Sequence, residues 1–429
     1  MSYGFASLIP RMLLGTLSAF SLLTATLPAR AGIVVSEGAY QNGSTKYSNG
    51  RKIAYDSRGR LHAVFTQNIA GKAGNPGFYA YSDDQGTTWT TGLDDLDQGT
   101  AENSEWGNFT PAVAVGSDDS VHVVWYAAYK AAQYKSIFYA VSRDRGTTWT
   151  RPEVVTAKMS PGVYTWPSLT LDKENRPHVV FSDPQGSKAG FYSTKDASGA
   201  WKMPVKISDS STPKDTVGIE FNPYLGPNGA LFVFFDSSGN LGTVRVNRSD
   251  DGGASWTGLS TPATTGSRVL WPSMTFDRAG NSYLTMTLNS GSAFKIWILK
   301  RDPSGNWSKP DIDNLFPPEK VKGYMRSSLT IDGDDNLHVF VEGSPESRAN
   351  WDIWHTSASL SDLNAWEQPR RISDQTKGDN AFVSTPSNVR GLNYIPVLWS
   401  SGDLADAETG HSSGNLPNNG KTSVLFNPF

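Results

Sequence analysis

The sequence predicts an all-β ring built from one repeated four-stranded antiparallel unit, and three observations carry this. First, an alternating strand, a polar turn and an apolar strand recur from Lys52 (KIAYDSRGRLHAVF), Ala112 (AVAVGSDDSVHVVW), Ser168 (SLTLDKENRPHVVF), Asn222 (NPYLGPNGALFVFF), Ser273 (SMTFDRAGNSYLTM) and Ser328 (SLTIDGDDNLHVFV). This is a β-hairpin signature. Second, those starts are spaced by 60, 56, 54, 51 and 55 residues, and a nearly fixed period marks a repeat architecture. Third, Gly 41, Pro 25, Trp 14 and Tyr 16 beside 18% charged residues suit short strands joined by turns, not helices or disorder.

The segment before the first repeat has a different character. Arg11 precedes the apolar run LLGTLSAFSLLTATL, and Ala29 and Ala31 form an A-x-A site before Gly32. This predicts a secretory signal peptide over residues 1–31, cleaved near Ala31, and a secreted or periplasmic single domain over residues 32–429. The run is 15 residues long and interrupted by Ser, Thr and Gly, too short to span a bilayer. Cys 0 excludes disulfides, thiolate metal ligands and a cysteine nucleophile, so the core alone must stabilise the domain. A net charge of −3 provides no basic field for nucleic acid. A monomer with no nucleic-acid or membrane partner is expected.

Each hairpin is followed by a third strand, a turn and a Trp. Three of these turns nearly coincide: YSDDQGTTWT from Tyr81, VSRDRGTTWT from Val141 and RSDDGGASWT from Arg248. Degraded forms end at Trp201, Trp307 and Trp366. Asp and Ser side chains fix such turns by bonding backbone N–H groups. Gly86, Gly146 and Gly252 are expected in a conformation that a side chain would forbid. Trp89, Trp149 and Trp256 are expected to pack between units. A residue set copied in every unit is architecture, not chemistry. A weaker seventh hairpin over Phe382–Ser400 and a strand over Thr422–Phe426 lack a fourth strand, which IVVSEGAY from Ile33 can supply. The expected fold is therefore a seven-bladed β-propeller closed by the N-terminal strand, with six blades as the competing count.

The S-x-D-x-G-x-T-W pattern at Ser82–Trp89 and Ser142–Trp149, with its variant at Ser249–Trp256, resembles the Asp-box, or bacterial neuraminidase repeat, of the sialidase-like propellers. Sialidases, other glycosidases, propeller-type polysaccharide lyases and lectins share that repeat. The resemblance implies that these turns join strands three and four on the face away from the binding mouth. The mouth would then be built from loops entering first strands and leaving second strands. His62, His122, His178 and His338 share the start of the second strand, so they fall on the turn face with structural roles. His355 lies in a third strand, where it could approach the mouth, and His411 lies in a polar loop near the end.

The implied mouth loops hold Arg51, Arg268 and Arg326, with Arg348 able to join them. Converging guanidinium forks match carboxylate or sulfate. Trp106, Trp166 and Trp271 could stack on sugar faces, and Tyr47, Tyr126, Tyr164 and Tyr324 complete the set. The competing reading pairs these arginines with local acids and uses the tryptophans as plugs.

A sialidase-type hydrolase would need an Arg triad, a Tyr–Glu pair and an Asp. Arg51, Glu220 and Tyr324 stand near such positions, but GRKIA replaces the expected R-I-P, and DSS follows the fourth hairpin where an Arg is expected. A lyase resembling the ulvan lyases needs a cation to neutralise a uronate carboxylate and a Tyr acid or base. Arg51, Arg326, Tyr164 and Tyr324 fit that requirement, with Glu220 a further catalytic candidate. A lectin would repeat its binding residues in every blade, and these do not repeat. The expectation is β-elimination on an anionic, uronate-containing polysaccharide. Glycoside hydrolysis and non-catalytic glycan binding are the alternatives. No cofactor or catalytic metal is expected. Structural calcium at DGDDN (Asp332–Asn336) competes with a plain hairpin turn.

Overall fold

Among the residues that the computed structural model describes, twenty-eight strands form seven four-stranded antiparallel sheets. The structure describes residues 1, 32–39, 45, 50–67, 76–98, 109–129, 131–187, 189–207, 222–235, 245–259, 268–289, 294–310, 314–316, 323–344, 351–373, 379–402 and 422–429. Residues 2–31, over which the sequence predicts a signal peptide, lie outside this set. Six blades use four consecutive strands each. The seventh is composite: Asp379–Ser384, Pro396–Gly402 and Thr422–Pro428 are completed by Ile33–Ala39. Ile33 pairs with Phe426 and Val34 with Leu425, antiparallel. The ring is thus closed by the N-terminal strand, and the count is seven.

The hairpin registers follow the sequence pattern. Tyr55 pairs with Leu61, Val115 with Val121, Leu171 with Pro177, Leu225 with Leu231, Phe276 with Ser282 and Ile331 with Leu337. Second strands are buried on both faces, as in Leu61–Thr66, because each blade is covered by its two neighbours. Between blades 1 and 2, Val64 and Tyr79 pack with Val123, Trp125 and Phe138. Full burial of one such side chain stabilises by roughly 1.5–3 kcal/mol.

The repeated turns are built as expected. Ser82 Oγ accepts from Gly86 N at 2.8 Å and donates to Asp84 Oδ1 at 2.8 Å. Asp84 also accepts from Thr88 N and Thr88 Oγ1, and Trp89 Nε1 donates to Gly86 O at 3.1 Å. Ser142–Trp149 and Ser249–Trp256 repeat this pattern. The third turn needs one correction. Gly253 receives the Ser249 bond and the Trp256 indole bond, so it is the counterpart of Gly86 and Gly146. Gly252 occupies the preceding position, where Gln85 and Arg145 also have positive φ.

Each turn tryptophan meets an aromatic of the preceding blade edge-on. Trp149 meets Tyr79 at 4.8 Å, Trp256 meets Tyr192 at 5.1 Å, and Trp89 meets Phe426 of the composite blade at 5.4 Å. Arg60, beside a first hairpin turn, pairs with Asp83 and donates to Arg145 O in the next blade's motif turn. Both turn classes therefore share one face. The first strands enter from the opposite face.

Candidate functional site

Before reaching the axis, five first strands slip register, that of blade 6 between Tyr324 and Ser327, and the other four also share a left-handed residue at the slip. In those four the register slips between Phe109 and Ala112, Thr165 and Ser168, Leu270 and Ser273, and Ala381 and Ser384. Their left-handed residues are Thr110, Trp166, Trp271 and Phe382, with φ of 48°, 52°, 49° and 60°. A bulge of this kind re-aims side chains. Counted from the hairpin turn, Gly50 (φ 76°) and Arg326 occupy the same position, and Arg51 lies one residue nearer the turn. Arg51, Arg268 and Arg326 are therefore not equivalent, contrary to the sequence expectation. The counterpart of Trp166 and Trp271 in blade 2 is Thr110, not Trp106.

Below the bulges the first strands line an axial cavity of about 1030 Å³. At its mouth-side end Arg51 reaches across the ring. Its Nη1 donates to Ser328 Oγ at 2.7 Å and Thr385 O at 3.2 Å, and its Nη2 donates to Met274 O at 3.1 Å. Those partners belong to blades 5, 6 and 7. Among the described residues Arg51 makes no ion pair. Burial lowers its pKa, and Tyr224 partly offsets this. Tyr224 is buried on the cavity wall, and that burial raises its own pKa. The guanidinium stays charged and the phenol stays protonated at neutral pH. Asn222 Oδ1 accepts from Gly50 N and from Ser168 Oγ, which fixes the backbone that presents Arg51. Lys52, the next residue, is buried and donates to Pro111 O at 2.7 Å.

Arg326 does not join Arg51 at the axis. It is 3% exposed, bonded to Glu342 Oε1 at 2.9 Å, and packed against the Trp271 and Phe382 rings at 4.9 Å each. Glu342 Oε2 also accepts from Phe382 N. The arginine thus pairs with a local acid and joins blades 5, 6 and 7. Tyr164 is buried, with its hydroxyl donating to Ser160 O at 2.8 Å and its ring edge-on to Phe181. Tyr126 is buried beneath Lys135. Trp166 and Trp271 are half-buried at the bulges. Arg268 opens its strand opposite Asn289, and Tyr324 pairs with Gly343. Tyr47, Trp106, Glu220 and Arg348 lie outside the described residues, as does His411.

The histidines belong to the turn face. In three blades a turn acid, a strand-two His and a strand-three Tyr form a buried relay. His62 Nδ1 meets Tyr79 Oη at 2.7 Å while its Nε2 faces Asp56 at 3.4 Å. His178 repeats this with Tyr192 and Asp172. His122 uses Tyr139 and Ser120, which bonds Asp118. In blade 6, His355 replaces the Tyr: His338 Nδ1 meets His355 Nε2 at 2.9 Å and His338 Nε2 meets Asp332 at 3.0 Å. His355 is therefore committed to this relay and not to the mouth. Burial lowers the pKa of all five. The Asp332 carboxylate is further occupied by Asn336 N and Asp334 N. Among the described residues no group of three or more His, Asp or Glu is placed to hold a metal ion.

Asn222, Tyr224, Lys52 and Glu342 were not singled out in the sequence. Tyr224 and Asn222 lie in NPYL, which reads as an ordinary strand start. Glu342 lies near the end of the second strand Asn336–Ser344 of blade 6, past the apolar run that marks the hairpin.

No family model matches the chain, and no curated protein matches it. Solved structures do match. A polysaccharide lyase, an ulvan lyase solved bound to -[GlcA(1-4)Rha3S]-, has a TM-score of 0.59 at 11% identity, covering 92% of this chain and 95% of its own. The chain shares the propeller fold of this lyase. An α-L-arabinofuranosidase from Fusarium graminearum has a TM-score of 0.52 at 15% identity, covering 79% of this chain and 99% of its own. A protein of unknown function from Dyadobacter fermentans DSM 18053 has a TM-score of 0.50 at 13% identity, covering 94% and 100%. Two of these three neighbours are carbohydrate-active enzymes. Among the described residues no helix is long and apolar enough to cross a membrane.

Proposed function

We propose that the chain is a secreted enzyme that cleaves an anionic, uronate-containing polysaccharide by β-elimination at the mouth of the propeller. One observation carries the reading: Arg51, a charged group at the head of the axial cavity, is held by carbonyls and a hydroxyl with no described carboxylate beside it. A largely buried cation without a counter-ion is costly, and an incoming carboxylate relieves that cost. Neutralising a uronate carboxylate makes the neighbouring C5 proton more acidic. A base removes that proton, the C4–O bond breaks, a C4=C5 double bond forms, and an acid returns a proton to the leaving oxygen. Tyr47 and Tyr324 are the candidates for these proton transfers, because Tyr164 and Tyr126 are committed to packing. Arg268 and Arg348 would hold further carboxylate or sulfate groups, and Trp106 would stack on a sugar ring. Glu220 is the remaining candidate for proton transfer.

The fold shared with an ulvan lyase over most of the chain supports the substrate class. The test incubates the protein with a panel of acidic polysaccharides. A rise in the ultraviolet absorbance of unsaturated uronate supports elimination. New reducing ends without that absorbance point to a glycoside hydrolase, and binding without cleavage points to a lectin.

A further inference from the structure

A second concentration of positive charge lies on the turn face, between blades 4 and 5. A cavity of about 270 Å³ there is lined by Arg248, Arg278 and Arg301 together with Phe276, Ser282 and Pro303. Its walls are the first hairpin turns of both blades and the third-to-fourth turn of blade 5, so it sits at the opposite end of the strands from the mouth.

Arg301 is the unusual member. It is 8% exposed, and its Nε is buried with no hydrogen-bond partner. Among the described residues it forms no ion pair. The nearest acids are already engaged: Asp250 accepts from Arg248 Nε and Nη2, and Asp302 accepts from Asn306 N and Nδ2 in its own turn. What Arg301 has instead is aromatic packing, with its guanidinium 5.8 Å from the Phe232 ring and 6.0 Å from Trp307. Arg248 lies 5.5 Å from the same Phe232 ring, so two like charges flank one side chain. Burial and the Arg248 charge both lower the pKa of Arg301.

Two further groups point to a ligand. Ser282, paired across the strands with Arg301, is 2% exposed, and its Oγ has no partner. Arg278 is exposed and forms no described ion pair or hydrogen bond. Three guanidinium groups thus surround one small cavity, and of these Arg278 and Arg301, together with the buried Ser282 hydroxyl, have no described acceptor. Unsatisfied buried donors cost free energy unless something bonds them. An oxyanion would satisfy these donors and screen the repulsion between the arginines.

We propose that this cavity is a binding site for a single oxyanion group, a sulfate or a carboxylate, separate from the mouth. Its volume suits one charged substituent, not a polymer segment. On a long acidic glycan, a second anchor on the far face would hold the polymer while the mouth works on it, by effective concentration.

The test titrates the full chain calorimetrically with sodium sulfate at constant ionic strength. Arg278→Ala, Arg301→Gln and Arg51→Met are titrated in parallel. Arg278 makes no described contact that folding needs, so its variant reports binding alone. The expected result is a sulfate site retained in Arg51→Met and weakened about tenfold or more in Arg278→Ala, as for loss of one charge-assisted partner. Glucose 6-sulfate and glucuronate titrated in the same way identify the source. Tighter binding of a sugar than of sulfate assigns a glycan-borne group, and equal binding assigns a free anion. Sulfate binding unchanged in both Arg278→Ala and Arg301→Gln, or abolished by Arg51→Met, overturns the proposal, as does no binding by any of the three probes.

Discussion

Gly146→Ala isolates what the repeated turn contributes. Gly146 has φ +88°, and a Cβ there would overlap the Tyr79 hydroxyl and lie 2.6 Å from its Cε1. Tyr79 cannot yield freely. Its hydroxyl bonds His62 Nδ1 at 2.7 Å, and its ring meets Trp149 edge-on at 4.8 Å. Placing a Cβ at left-handed φ costs about 1–2 kcal/mol. Forcing a methyl into a packed contact costs about 1–3 kcal/mol, and disturbing the aromatic pair adds about 0.5–1.5 kcal/mol. Gly199 is the internal control. It has φ +83°, and nothing lies within 4 Å of its built Cβ, so Gly199→Ala incurs the backbone cost alone. Urea unfolding should show Gly146→Ala less stable than Gly199→Ala by about 3 kcal/mol from the two packing costs. Equal losses would refute the claim that these turns wedge adjacent blades together.

Other predictions follow from the same geometry. Arg326→Ala leaves Glu342 buried without its cation and should destabilise the fold by about 3–5 kcal/mol, seen as a lowered Tm. A near-native Tm would show that Arg326 is not the joint between blades 5, 6 and 7. The buried His122 imidazole is pushed down to about 4 from its ordinary 6.5, first by desolvation. As pH falls below 6.5 the unfolded chain takes up the proton first, so stability is full above that pH and is lost toward pH 4. The loss from His122 is about 3 kcal/mol at 1.36 kcal/mol per pKa unit, and His122→Gln should flatten the stability–pH curve in that window. An unchanged slope would remove His122 from the account. Deleting residues 1–39 removes the strand paired with Thr422–Pro428 and should expose that edge, giving aggregation or a lowered Tm. A monomer of native stability would contradict closure by this strand.

The fold was legible because it is written repeatedly. Hairpin spacing set the period, and the motif turns fixed one face. The weak seventh hairpin became interpretable once IVVSEGAY was read as its missing strand. The site was less legible for a physical reason. Its residues occur once each, and the first-strand bulges shift which residue faces the axis. Arg51 and Arg326 look alike in sequence, yet the bulge count separates them. Arg326 finds Glu342, whereas Arg51 spans the ring to Ser328. Tyr164 sits at a mouth-like position, but the carbonyl that its hydroxyl meets, Ser160 O, is set by a local turn that composition does not reveal. Arg301 and Ser282 were invisible because a missing partner is a property of packing alone.

The most direct test of the account compares wild type and Arg51→Met on a uronate polysaccharide, following unsaturated-uronate absorbance while the Tm of each protein serves as a check of folding. The account predicts that absorbance rises with wild type. It also predicts that the rate falls at least about a hundredfold in Arg51→Met, the scale of losing one electrostatic stabiliser, with the fold intact. Equal rates for the two proteins would contradict it.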